Sequence, residues 1–453
     1  MNDIHKFKCN DDCFMLDVSS GTIHVVDKII YEIVNENNIE SRSNVINKYI
    51  GKYDKNILND CYDEIEELIR KDQLYSEDKY EYIAKNFEKE PDYIKAVCLN
   101  IAHDCNLRCK YCFADGEGYD RQRILMSFDV AKRSIDFLIK NSGTRVNIEV
   151  DFFGGEPLLN MDVVKRTVDY ARSKEKQYNK NFRFTITTNA TLLTEDIMDY
   201  LDDNMVNVVL SIDGRKEVED SIRIKINGGG TYDDILPKIK SMVERRVKSK
   251  KQYYIRGTFT SQNLDFSKDI KHFIDLGFKE ISIEPVVLSA DNPLSIKKEY
   301  LEQIYEQYDI IFKELLKHDD VIFYHFNINI NGGACIYKRI SGCGAGFEYI
   351  AVTPEGDIYP CHQFVGNKVF YMGNVYDGIK NKEMSTDFRK SNIYNKPECK
   401  KCWARFYCSG GCQANNYNST GDTLMPYEIG CNMQRKRIEY AIALQYYRSN
   451  KIL

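Results

Sequence analysis

Six apolar, β-rich runs separated by helical patterns restrict this chain more than any other feature. The runs fall at 94–101, 146–153, 182–188, 206–212, 253–260 and 280–287. Between them, stretches such as 129–140 and 161–174 carry apolar residues at helical spacing, with Ser127 and Thr194-Glu195-Asp196 as helix starts. Such alternation over 93–290 predicts a parallel sheet with crossover helices, open or closed into a barrel. Ligands in these folds sit at the carboxyl ends of the strands. Chemical motifs should therefore follow strands directly, and here they do.

The flanking regions read differently. In residues 1–85, strand-like runs at 14–18 and 22–26 surround Ser19-Ser20-Gly21, a hairpin signal. Helical patterns follow at about 27–36 and 56–72, the second with Ile57, Leu58, Cys61, Ile65, Leu68 and Ile69 on one face. This α+β unit is winged-helix-like. The charged stretch 76–92, with Pro91, reads as a linker. Residues 291–331 form a bridging segment, a helix at 296–318 and a short strand. Residues 332–453 are cysteine-rich with many turn residues and close in a helix near 432–447.

Cysteine sets the chemistry. The chain holds 15 Cys against 7 His, and eight of the Cys lie from Cys335 onward. The rest of the profile is ordinary, with 43% hydrophobic residues, 29% charged residues and a net charge of −5. Nothing in it favours nucleic acid or a membrane surface, and no apolar run reaches the ~18 residues of a span. The first residues lack a signal-peptide pattern, so the expected location is cytoplasmic. In a reducing compartment grouped cysteines more often bind metal than form disulfides, and thiolate-only sites suit iron–sulfur clusters or structural zinc.

After the first strand comes His103-Asp104-Cys105-Asn106-Leu107-Arg108-Cys109-Lys110-Tyr111-Cys112-Phe113, a Cys-x3-Cys-x2-Cys spacing. Three thiolates can hold three irons of a 4Fe–4S cube and leave the fourth open, whereas structural zinc wants four protein ligands. This trio, with Tyr111 before its last Cys, is similar to the signature of the radical S-adenosylmethionine (SAM) superfamily. The resemblance implies a partial (β/α)6 barrel in an α/β fold. It also implies SAM held on the open iron and cleaved on reduction to methionine and a 5′-deoxyadenosyl radical. Further segments resemble the family's SAM-binding motifs strand by strand. Gly154-Gly155-Glu156-Pro157 looks like the amino-group motif, in which Glu156 can accept from an ammonium. Thr188 and Asn189 resemble the ribose-side segment. Ser211 and Asp213 resemble the segment near the carboxylate and ribose, with Arg223 a candidate partner for the carboxylate. No catalytic residue beyond the SAM cluster is identified.

The C-terminal region reads Cys343-x12-Gly356-x4-Cys361, then Cys399-x2-Cys402-x5-Cys408-x3-Cys412, then Cys431. Taken alone, the Cys-x2-Cys pair also suits a zinc ribbon. The whole pattern resembles the SPASM domain of peptide-modifying radical SAM enzymes. That resemblance implies two auxiliary 4Fe–4S clusters, three clusters in all. It assigns Cys343, Cys361 and Cys412 to one, and Cys399, Cys402, Cys408 and Cys431 to the other. The first is one ligand short. Either Cys335 completes it or an iron stays open for a substrate thiolate, the reading preferred here. Cys61 sits on an apolar helical face, and Cys9, Cys13 and Cys98 have no interpretable grouping.

Gly21-Thr22-Ile23-His24-Val25-Val26-Asp27 resembles the recognition element of ribosomal peptide maturases, where a leader peptide adds a strand to a sheet edge. The ensemble is most like the thioether-forming maturases of cysteine-rich SCIFF peptides (ranthipeptide or sactipeptide type). The implied partners are a cysteine-rich precursor peptide, its leader held by residues 1–85, and a flavodoxin or ferredoxin as electron donor. Alternatives are an anaerobic sulfatase-maturing enzyme that forms formylglycine, another radical SAM peptide modification, and a zinc-stapled peptide-binding protein without catalysis.

Overall fold

The structure is a computed structural model and describes residues 4–89, 93–114, 123–330 and 336–450. Cys335 lies outside the described residues. The N-terminal unit opens with an antiparallel sheet of β1 (Ile4–Cys9), β2 (Asp12–Asp17) and β3 (Ile23–Val26). The hairpin is where the turn residues place it. Strand β1 escapes sequence reading because its apolar alternation is broken at Lys6, whose ammonium reaches the carbonyls of Tyr31 (2.7 Å) and Val34 (2.8 Å) instead of water. Helices Lys28–Ile33, Arg42–Tyr49 and Lys55–Arg70 follow, each started by a side-chain cap from Asp27, Ser41 or Asp54. Their apolar faces close a small core around Ile4, Met15, Ile30, Leu58, Cys61 and Ile65.

The expected linker is not one over its described part. Glu81–Phe87 is a helix, and its Ala84 and Phe87 are buried. Arg389 donates to the Phe87 carbonyl (3.2 Å) and stacks over the Phe87 ring. Asp78 accepts from Tyr394 (2.8 Å), and Glu81 pairs with Lys400 (2.9 Å). Charges of this stretch are thus partners for the cysteine-rich region, more than 300 residues away in sequence.

The central layer is parallel. Strands β4 (Ala96–Ala102), β5 (Leu107–Cys109), β6 (Asn147–Gly154), β7 (Asn181–Thr188), β8 (Asn207–Ser211), β9 (Arg223–Lys225), β10 (Gln252–Phe259), β11 (Glu280–Pro285) and β12 (Ile322–Phe323) follow in the chain. Of these, β4-β6-β7-β8-β10-β11 pair in parallel in that order, and β12 adds beyond β11. This is the expected α/β fold with a partial barrel, because the sheet runs on at both ends instead of closing. Helices Phe128–Asn141 and Glu195–Asn204 begin at Ser127 and Thr194, whose hydroxyls accept from Val130 N (3.3 Å) and Ile197 N (3.4 Å). Alternation along β6 buries Ile148, Val150 and Phe152 on one face and leaves Glu149, Asp151 and Phe153 on the other.

The cysteine-rich region joins the same sheet. Strand β13 (Tyr349–Val352) pairs in parallel with β4, and β14 (Asp357–Tyr359), β15 (Gly373–Asn374) and β16 (Gly378–Ile379) continue antiparallel from it. The closing helix, Glu428–Asn450, packs on helix Leu301–Lys317 and reaches the N-terminal sheet, where Tyr447 donates to Asp12 (2.6 Å) and to the Cys9 carbonyl (3.0 Å). Among the described residues no helix is long and apolar enough to cross a membrane.

Candidate active site

The cysteine trio follows β4 and is anchored at its middle. Strand β5 pairs antiparallel with β9, placing Cys109 opposite Arg223, and Lys110 N donates to the Ile222 carbonyl (3.0 Å). Cys112 closes a turn back to the Cys109 carbonyl (3.0 Å). The end of β6 presses on this loop: Gly155 N donates to Ala102 O (2.7 Å) and Glu156 N to Asp104 O (2.9 Å). A Cβ on Gly154 would strike the Ala102 carbonyl and one on Gly155 the Asp104 carbonyl, and Gly154 also has a φ of +123°. The two glycines are therefore required by the close approach of two backbones.

These elements enclose a cavity of about 510 Å³. Cys105, Cys109, Cys112, Tyr111, Gly154, Gly155, Thr188, Asn189, Ser211 and Arg223 all line it. Glu156, Pro157 and Asp213 do not; they form the layer behind. Glu156 is buried, and its carboxylate already accepts from Leu158 N (3.0 Å), Thr188 Oγ1 (2.7 Å) and Asn189 N (2.7 Å). Burial pushes its pKa up and these donors pull it back. In this structure Glu156 locks the β7 loop to the β6 loop, rather than facing the cavity as an ammonium acceptor would. The locked loop brings Asn189 Nδ2 within 3.7 Å of Cys105 Sγ and 2.9 Å of Asn106 Oδ1.

On the other wall, Tyr111 donates to Asp213 Oδ1 (2.9 Å), as does Thr258 N (2.9 Å). Arg223 Nε donates to Glu219 Oε1 (3.0 Å), and Glu219 Oε2 accepts from Asp213 N (2.8 Å). Burial raises the Asp213 pKa against the pull of Arg223. Glu219 is the residue sequence reasoning missed on this wall. Its only sequence signal is the i, i+4 spacing to Arg223. Arg108 and Phe153 also line the cavity unforeseen.

The C-terminal thiols gather in two groups. Cys361 lies in the field of Cys412 and Cys343, and Cys399 in that of Cys408, Cys431 and Cys402. The donor chemistry fits iron–sulfur clusters: all three groups are built of thiols alone, and the first borders an open cavity. Among the described residues no three Cys, His, Asp or Glu side chains meet as a single-ion site. Burial, helped by neighbouring carboxylates and thiols, lifts the Cys105 thiol to about 11 and Cys109 and Cys399 to about 12, and bound iron would reverse this by taking the thiolates. A second cavity of about 430 Å³ touches both C-terminal groups at Cys408, Cys412 and Cys431, and is lined by Glu284, His325 and Arg437. Cys9, Cys13, Cys61 and Cys98 are buried core residues.

His362, next to Cys361, connects the two halves. Its ring lies 4.7 Å from that of Phe153 on the first cavity wall, and its Nδ1 is 3.1 Å from Tyr349 Oη. Burial holds its pKa down at about 4. Nearby, Asp151 is pushed up to about 7 by burial and by Glu149. Between the ordinary aspartate value and about 7 the unfolded chain is ionised while the folded one keeps its proton, so this residue costs stability progressively as pH rises through that window. We expect the stabilisation conferred by Asp151→Asn to be absent near pH 4, to grow towards pH 7 and then to level. Urea unfolding midpoints across pH would show this, and a gap independent of pH would refute it.

Residues 99–270 match the family model of the radical SAM superfamily, and residues 343–403 match that of SPASM, an iron–sulfur cluster-binding domain. Fold and site together define a radical SAM domain with a SPASM extension. A cysteine-type anaerobic sulfatase-maturating enzyme of Clostridium novyi is 26% identical, over 71% of this chain and 89% of its own. The radical SAM cyclopropyl synthase TigE of Paramaledivibacter caminithermalis is 23% identical over 97% of this chain and 94% of its own. Streptococcus suis SuiB shares the fold: bound to SAM it gives a TM-score of 0.55 at 15% identity, covering 95% of this chain and 99% of SuiB. Bound to its precursor peptide SuiA it gives 0.54 at 16%, covering 95% and 98%.

Proposed function

We propose that this chain is a cytoplasmic radical SAM maturase that installs thioether crosslinks, Cys sulfur to carbon, in a cysteine-rich ribosomally made precursor peptide. The observation that carries the reading is the joining of three all-thiol groups to an N-terminal sheet with an edge strand. Strand β3 pairs only with β2 among the described residues, and all four of its residues are half-buried. Such an edge can take a leader peptide as a further strand. The alignments with TigE and SuiB run through nearly the whole chain, whereas that with the sulfatase-maturating enzyme stops at 71%.

Cys105, Cys109 and Cys112 would hold the SAM-binding cluster, and the two C-terminal groups would hold two auxiliary clusters. With SAM and low-potential electrons from a flavodoxin or ferredoxin, these groups supply a carbon-centred radical and an exit for one electron. The protein's part is placement. Gly154 and Gly155 let the β6 loop close on the cysteine loop, and Asn189, Ser211 and Arg223, which line the same cavity, would hold the ribose and carboxylate of SAM.

The test is the intact mass of a short cysteine-rich peptide after incubation with reconstituted enzyme, SAM and reductant, with and without thiol alkylation. Two hydrogens lost per event, with fewer alkylatable thiols after phosphine reduction, is the expected result. Two hydrogens lost with every thiol still alkylatable would instead mean ring closure or another carbon–carbon bond. Conversion of one Cys or Ser to formylglycine would transfer the chain to the sulfatase-maturation reading that the Clostridium novyi relative favours.

A further inference from the structure

Lys396 is fully buried, and its Nζ donates to the Gly410 carbonyl (2.9 Å). That carbonyl sits between Cys408 and Cys412, one from each C-terminal thiol group, and Lys396 itself stands three residues before Cys399. Gly410 has a φ of +85°, and a Cβ there would come within 3.3 Å of the ammonium, so glycine is what lets the turn close on the lysine. Among the described residues Lys396 makes no ion pair with a carboxylate; the ionisable groups acting on it most strongly are the sulfurs of Cys399, Cys408, Cys412 and Cys431. Lysine is almost never fully buried unless paired, because an uncompensated buried ammonium loses its hydration for nothing in return. Here, among the described residues, the ammonium is held by one carbonyl and the ionisable groups around it are thiols.

We propose that Lys396 is the built-in counter-cation of the auxiliary clusters, foremost the one held by Cys399, Cys402, Cys408 and Cys431, and that it raises that cluster's reduction potential. This rests on the cluster reading above. Four thiolates on a 4Fe–4S cube leave a net negative charge that grows by one on reduction, so a fixed cation in a low-dielectric setting favours the reduced form. The lysine thereby makes the cluster a better acceptor for the electron that leaves the peptide.

The experiment is a potentiometric titration followed by electron paramagnetic resonance, on reconstituted wild type and Lys396→Met, with iron counted in each. We expect the variant's auxiliary midpoint to fall. At fixed potential its reduced-to-oxidised ratio should drop about tenfold, or about 59 mV for a one-electron step, with the SAM-cluster midpoint unmoved. An unchanged auxiliary midpoint at full iron would overturn the proposal. If the methionine variant lacks iron, Lys396→Arg and Lys396→Gln decide: wild-type potential in the first and a lowered one in the second supports the role, and equal potentials refute it. Wild type holding only about four irons per chain, instead of about twelve, would overturn the cluster reading itself and this proposal with it.

Discussion

Replacing Cys105, Cys109 and Cys112 together by Ala is expected to reduce deoxyadenosine formation from SAM to background. Iron should fall from about twelve to about eight per chain, since only the first cluster is lost. The expectation rests on placement as much as on spacing. The trio is pinned by the β5–β9 pairing at Cys109, by the turn at Cys112 and by the two glycines that bring β6 against Cys105. All three thiols border the one cavity shared with Asn189, Ser211 and Arg223. The C-terminal groups do not border it, so they cannot substitute for the trio. Chromatography of the reaction mixture and an iron assay are sufficient. Deoxyadenosine at the wild-type rate from the triple variant would sink the assignment of this cavity to SAM.

Glu219→Gln should be the most damaging single change to the fold. Arg223 and Glu219 form an ion pair whose side chains are 7% and 0% exposed, and Glu219 also accepts from Thr231 Oγ1 (2.7 Å) and Asp213 N (2.8 Å). Removing one charge of a buried pair strands the other, at a cost of about 3–5 kcal/mol. Because Arg223 is paired across from Cys109, the loss should also loosen the cavity wall and weaken SAM binding about tenfold or more. Urea unfolding and a SAM titration would read both effects. The double variant Glu219→Gln, Arg223→Met should regain part of the stability, since the guanidinium is then not left unpaired while Asp213 loses its cationic neighbour, but not the SAM affinity. Equal unfolding midpoints for the single variant and wild type would show that the pair carries no such weight.

Much of this protein is legible along the chain. The six strands, the helices begun by Ser127 and Thr194, the hairpin around Ser19-Ser20-Gly21 and the three cysteine groups follow from local rules. Periodicity, caps, turns and short ligand spacings all operate within a few residues. Other features arise from meetings of distant segments. Strand β13 extends the barrel sheet across more than 240 residues of chain, and Asp78, Glu81 and Phe87 turn a charged stretch into a packed strap. Glu156 faces a neighbouring loop instead of the cavity because Thr188 and Asn189 reach it first. Glu219, His362 and Lys396 carry no motif at all; each becomes notable only through what surrounds it when buried. The sequence by itself determined how the cysteines are spaced and in what order the strands come. Tertiary structure alone decided which charges are removed from water together, because desolvation and ion pairing depend on neighbours in space, not along the chain.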